Sequence, residues 1–187
     1  MKLSIIPVAV AFLLAGPVAE AALKPGDKAP EFSTQAALGG KAFAFQLSDA
    51  LARGPVVLYF FPKAFTSGCT VEAHEFAEAT ARFNALGATV VGVSNDDIET
   101  LKRFSVEACR NKFAVASDAD SRVIRAYDAK IAFLPGVADR ISYVIDRSGK
   151  IAYAYGSMNP DGHVANTMKA VEELVATGKQ PEAAGKR

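Results

Sequence analysis

Tryptophan is absent, cysteine and histidine occur twice each, and acidic and basic side chains nearly cancel, leaving a formal net charge of +1. Each scarcity removes something. Without a basic stripe the chain has no electrostatic footprint for nucleic acid, and neither an acidic partner nor a membrane surface is favoured by charge. Cys69, His74, Cys109 and His163 could in principle supply four ligands to copper or zinc, but Cys-x4-His without a matching second pair is weak metal-site spacing. No internal repeat and no Pro/Gly/Ser-rich linker divides the 187 residues, a length that suits one domain with its own core. A membrane-spanning run is also missing: the most apolar stretch, Leu3 to Ala15, falls short of the roughly 20 residues a span needs.

That short run has another reading. Lys2 precedes it, Gly16 and Pro17 break it, and Ala19-Glu20-Ala21 fits a small-x-small cleavage site, so residues 1–21 are expected to be a secretory signal. An uncleaved N-terminal anchor is the alternative. Removing the segment takes away one Lys and one Glu and leaves the net charge unchanged. The mature domain, 22–178, is then expected in a periplasmic or otherwise extracytoplasmic space, with no stable membrane association and a frayed polar tail over 179–187. Such a space tolerates disulfides, and an even pair of cysteines is compatible with one Cys69–Cys109 staple.

What the chain does contain is an alternation of buried-strand and helical patterns. Val56 to Phe61 is a continuous apolar, β-rich run that Pro62 ends, and Ala88 to Ser94 is a second such strand. Phe76, Ala79, Phe83 and Leu86 recur at helical spacing before Gly87. Asp96 or Asp97 can cap a helix whose stripe is Ile98, Leu101, Phe104 and Ala108. A short strand over 113–116, a helix over 118–127, a hairpin around Arg147-Ser148-Gly149 and a closing helix with Val164, Met168, Val171 and Val175 complete the order. The sum is an α/β domain of three layers, compatible with a thioredoxin-like fold, a central mixed sheet flanked by helices.

The chemistry gathers at one cysteine. Cys69 follows the buried strand and stands at the opening of a helix, where unpaired N–H groups and the helix dipole favour thiolate over thiol. Thr66, three residues earlier, can turn its hydroxyl toward the sulfur or toward an oxygen of a substrate. Taken singly, Thr66 is an ordinary helix-entry residue, Pro62 a strand terminator and Arg140 a solvated charge at a strand start. Their joint spacing lifts them above those readings.

Pro62-x3-Thr66-x2-Cys69, within Phe-Thr-Ser-Gly-Cys-Thr and on to Glu72, resembles the active-site motif of the peroxiredoxins, in their bacterioferritin-comigratory or Q branch. Arg140-Ile141-Ser142-Tyr143-Val144-Ile145-Asp146 is similar to the strand that brings that family's arginine, and the likeness runs from about Lys24 to Val175. The resemblance implies a thioredoxin-fold peroxidase that needs no cofactor. Cys69 would attack a peroxide oxygen and become a sulfenic acid, Thr66 would hydrogen-bond thiolate and peroxide, and Arg140 would hold the developing charge. Pro62 would shield the pocket and Glu72 orient Arg140. Peroxide would be the substrate and a thioredoxin-like or small thiol the reductant, the protein being a monomer or a dimer.

The recycling step stays open. Where some relatives carry a second cysteine five residues after the first, this chain has His74; others place it in the following helix, the region of Cys109. At about 1.5 Å per residue that helix would carry Cys109 roughly 20 Å away, against the ~7 Å between Cα atoms that a disulfide needs. Cys109 could resolve Cys69 after unwinding, stay buried and inert, or pair with another chain. Two rival functions are an exported thioredoxin-like thiol–disulfide oxidoreductase, which lacks its Cys-x-x-Cys pair here, and a non-enzymatic module stapled by the two cysteines.

Overall fold

The computed structural model describes residues 22–178; the expected signal and tail lie outside the described residues. A hairpin of β1 (Ser33–Leu38) and β2 (Lys41–Gln46) leads into α1 (Leu47–Arg53) and β3 (Val56–Phe60). Then come α2 (Ser67–Ala85), β4 (Thr89–Ser94), α3 (Ile98–Glu107), β5 (Ala114–Ser117) and α4 (Arg122–Ala126). The chain closes with β6 (Ile141–Ile145), β7 (Ile151–Gly156) and α5 (His163–Ala176). The helix expected over 118–127 is only five residues long, because Ser121 takes a left-handed φ of 56° and delays its start.

Seven strands form one mixed sheet in the order β2-β1-β5-β4-β3-β6-β7. β3, β4 and β5 run parallel, while β6 and β1 join them antiparallel on either side. Alternation along β3 explains why it reads as an unbroken apolar run: Val56, Leu58 and Phe60 enter one core, and Val57 and Tyr59, with Phe61 beyond them, enter the other. The first core is closed by Leu47 and Ala50 of α1 and by Val123 and Ile124 of α4. The second is closed by Phe76 of α2, Leu101 and Phe104 of α3, and Met168 and Val171 of α5. This is the three-layer mixed α/β arrangement, with the thioredoxin-like topology expected.

The sheet positions the site by register. Phe60, the last residue of β3, pairs with Ile141, the first of β6. Because those strands are antiparallel, Arg140 is delivered to the same sheet end where β3 gives way to α2. Residues far apart in sequence therefore meet there.

Tyr59 is the keystone of the second core. Its fully buried ring stacks on Phe76 at 4.4 Å between centroids, lies 5.5 Å from Phe61 and 5.9 Å from Phe113, and covers Gly92 of β4. A Cβ at position 92 would come within 2.8 Å of that ring, which its aromatic neighbours prevent from moving. Gly92→Ala is expected to destabilise the fold by about 1–3 kcal/mol, read as a lowered Tm in thermal denaturation.

Candidate active site

The loop between β3 and α2 is tied down before the helix begins. Asp96, buried at the end of β4, accepts hydrogen bonds from the Ala64 N–H at 2.8 Å and the Ser94 hydroxyl at 2.9 Å. Its other oxygen lies 2.7 Å from Lys63 Nζ. Phe65 occupies the left-handed region at φ 66°, a strained conformation for an aromatic residue. Its ring is held against Phe104 at 5.2 Å, with Arg103 on its face. Capping of α3, for which Asp96 and Asp97 were interchangeable by pattern, falls to Asp97, which accepts from the Thr100 N–H at 2.8 Å. The side chain freed from capping is the one that anchors the catalytic loop.

Thr66 is the extended N-cap residue of α2 and Cys69 stands in its first turn. The N–H groups of 67–69 precede the first intrahelical bond, Thr70 N–H to the Thr66 carbonyl at 2.9 Å, so the helix start presents unpaired donors beside the sulfur. The Thr66 hydroxyl donates to the Lys63 carbonyl at 2.9 Å instead of turning to Cys69. Its oxygen retains lone pairs, and the contact expected with the sulfur is not formed in this structure. Pro62 follows the buried Phe61 and turns the chain out of the sheet as expected.

Cys69 is buried to 1% exposure and Arg140 to 4%. Arg140 is not the solvated strand-start charge that its position alone suggests. Its Nη2 donates to Cys69 Sγ at 3.4 Å, its Nε to the Met158 carbonyl at 3.1 Å, and its Nη1 to Glu72 Oε2. Burial works against the guanidinium charge, but Glu72 and Cys69 together outweigh it and raise the Arg140 pKa. Gly68 makes room for this fork, since a Cβ there would stand 3.2 Å from Nη2. Pro62, Thr66, Cys69, Glu72 and Arg140 thus collect at one sheet end; Cys109 does not join them.

Cys109 lies one residue beyond the C-cap of α3, fully buried, in the turn that carries Arg110 and Asn111 at positive φ. Both thiols are free. Burial pushes the Cys109 thiol far above its usual range, which disfavours its thiolate while the fold is closed. Cys69, His74, Cys109 and His163 are not gathered into a ligand set, and among the described residues no cluster suits a metal ion.

One member of the site was missed by sequence. His163 is the first residue of α5, a position that by itself suggests an exposed helix start, yet it is fully buried. Its Nε2 lies 2.9 Å from the Ser157 carbonyl, its Nδ1 2.8 Å from Ser142 Oγ, and the same Nδ1 3.6 Å from Glu72 Oε1. A lone histidine at a helix start carries no sequence signal for this; the alternation of β6, which turns Ser142 to the same side as the core residue Val144, is the one hint available. Burial, helped by the charge of Arg140, lowers the His163 pKa. The opposite holds for Glu72, which has no exposure.

Burial raises the Glu72 carboxyl to about 8 against the pull of Arg140. Its folded pKa lies above its unfolded value of 4.5, so the folded state binds the extra proton. The stability contributed is complete below about 4.5 and is lost as pH rises through about 8. Denaturant titrations across that window are expected to show wild-type stability falling with pH, and Glu72→Gln abolishing that part of the slope.

The comparisons with known proteins agree with this geometry. The profile of the AhpC/TSA family matches residues 25–154. A putative chloroplastic peroxiredoxin Q of Oryza sativa subsp. indica is 31% identical over 150 residues, which cover 80% of this chain and 67% of that one. A putative peroxiredoxin of Mycobacterium tuberculosis is 38% identical over 149 residues, covering 76% and 91%. Among solved structures, peroxidoxin BcpB from Mycobacterium tuberculosis has a TM-score of 0.74 at 29% identity, covering 81% of this chain and 98% of that one. Mycobacterium tuberculosis AhpC has the same TM-score at 21% identity, a likeness of fold. With its sulfur, arginine and motif in one place, the chain belongs to the AhpC/TSA family, among the peroxiredoxins of the Q branch.

Proposed function

We propose that the thiol-dependent peroxidase activity of this chain is carried by Cys69, with Arg140 as its electrostatic partner. The observation that carries the reading is the Arg140 Nη2 donor 3.4 Å from a sulfur in the first turn of α2. A guanidinium and a helix start aimed at one buried atom stabilise negative charge there without reorganising when the reaction begins. The thiolate attacks the nearer peroxide oxygen along the O–O axis. The S–O bond forms, the O–O bond breaks, sulfur is oxidised to sulfenic acid, and the departing oxygen takes up a proton as alcohol or water.

Around that step the other residues have separate tasks. Asp96 fixes the loop so that the first turn of α2 is preorganised. The Thr66 oxygen, with its proton committed to Lys63, offers lone pairs to a peroxide O–H. Pro62 limits access of water, and Glu72 and the Met158 carbonyl hold the guanidinium in its plane. Cys109 is buried and makes none of these contacts, so a small thiol or thioredoxin-like protein reduces the sulfenic acid directly unless the turn at 108–111 and the start of α2 both open. The apolar run ahead of the domain supports a signal peptide and an extracytoplasmic, periplasmic place of work, which points to a reductant resident there.

Stopped-flow peroxide reduction tests these roles. Cys69→Ser is expected to lose the reaction altogether. Arg140→Lys removes the forked donor and is expected to lower the rate of peroxide attack by about 10²–10³-fold. Cys109→Ser is expected to keep the first turnover unchanged. A Cys69→Ser protein that still reduced peroxide at the wild-type rate would remove Cys69 from its role.

A further inference from the structure

Glu72 presents a buried polar atom that the mechanism has not used. Oε2 takes the Arg140 Nη1 bond, but Oε1 is fully buried and has no hydrogen-bond partner. Across the core His163 Nδ1 lies 3.6 Å from it, too long for a bond. The tautomer of that ring follows from its partners. The Ser157 carbonyl can only accept, so Nε2 carries the proton; Nδ1 then offers a lone pair, which accepts from the Ser142 hydroxyl. An ionised Oε1 would therefore face a lone pair inside a dry core, with nothing to solvate it.

The charge count leads to the same place. One buried guanidinium touches two acids, Cys69 and Glu72. With both ionised, the site would hold an uncompensated negative charge away from water, an expensive arrangement. With one ionised at a time, it stays neutral throughout.

We propose that Glu72 is the proton store of the reactive cysteine: Oε1 carries a proton while Cys69 is a thiolate and releases it when the sulfur is oxidised. This rests on the peroxidase reading of Cys69. In the step, the thiolate gives an electron pair to the peroxide oxygen, the S–O bond forms and RO⁻ departs. One proton completes ROH as Glu72 loses one, and Arg140 exchanges a thiolate for a carboxylate as its counter-ion. His163 and Ser142 are positioning residues that set which oxygen is protonated. The groups facing Glu72 are Arg140 from the start of β6, His163 from α5 with Ser142 behind it, Tyr59 from β3, and Cys69 and Glu75 along α2. Of these only Arg140 is cationic, because burial keeps His163 neutral. The raised carboxyl pKa is consistent with the stored proton.

Infrared difference spectra of the full protein decide the matter. Reduced wild type at neutral pH is expected to show a protonated-carboxyl C=O stretch that Glu72→Gln lacks and that disappears when one equivalent of hydrogen peroxide oxidises Cys69. In Cys69→Ser, where no thiolate competes for Arg140, the pH at which the band is lost is expected to fall by about one to three units. Ser142→Ala, which frees Nδ1 to accept from Oε1–H, is expected to move it upward. A band absent from reduced wild type, or one indifferent to both oxidation and replacement of Cys69, overturns the proton store. Failure of Cys69 to react with peroxide would instead strike the peroxidase reading, while the Cys69→Ser comparison, which uses no peroxide, would still decide the store.

Discussion

Arg140 holds together three groups from two distant parts of the chain: the sulfur of Cys69 and the carboxyl of Glu72 on α2, and the Met158 carbonyl beyond β7. A guanidinium left unpaired at 4% exposure would destabilise the fold, so its three partners are a structural necessity as well as a chemical device. The constraint propagates outward. α2 must start where β3 ends, β6 must run antiparallel to β3 so that Arg140 arrives at that end, and position 68 must lack a side chain. The same interaction that closes this end of the molecule places a positive charge on the reactive sulfur.

Around it, the site is rigid where peroxide must be oriented and strained where the chain must turn. Asp96 fixes the loop through a backbone N–H and Lys63, and the aromatic wall of Phe104 accepts a left-handed Phe65. Cys109 shares a core with Cys69 but belongs to the closed interior. Its recruitment would need local opening of the turn at 108–111, whereas Cys69 already has Arg140 and the start of α2 beside its sulfur. This separates the two halves of the catalytic cycle physically: attack by a preorganised group, and regeneration by whatever thiol can reach it.

Much of this was legible in the sequence because it depends on local patterns. The unbroken apolar run of 56–61, the helical spacing after Cys69 and the hairpin at Arg147-Ser148-Gly149 each follow from side-chain periodicity or turn chemistry. Pro62, Thr66 and Cys69 form a motif because they share one loop. Arg140 and Glu72 were legible only through family resemblance, since no local rule says that a charge at a strand start is buried. The work of His163 and Asp96 is illegible for the converse reason: locally, each resembles a helix-start residue, and only the packing of α5 and the end of β4 gives them other partners. The direction of the Thr66 hydroxyl was also beyond sequence, as Lys63 and Cys69 lie equally near along the chain.

The most direct test of the central claim is mass spectrometry of the reduced protein after one equivalent of hydrogen peroxide, with sulfenic acid trapped and peptides mapped. Oxidation is expected to begin at Cys69, as a trapped sulfenic acid or as its product with another thiol, while Cys109 is never the first site. Initial oxidation at Cys109, or equal oxidation of both cysteines from the outset, would contradict an account in which Arg140 and the start of α2 single out one sulfur.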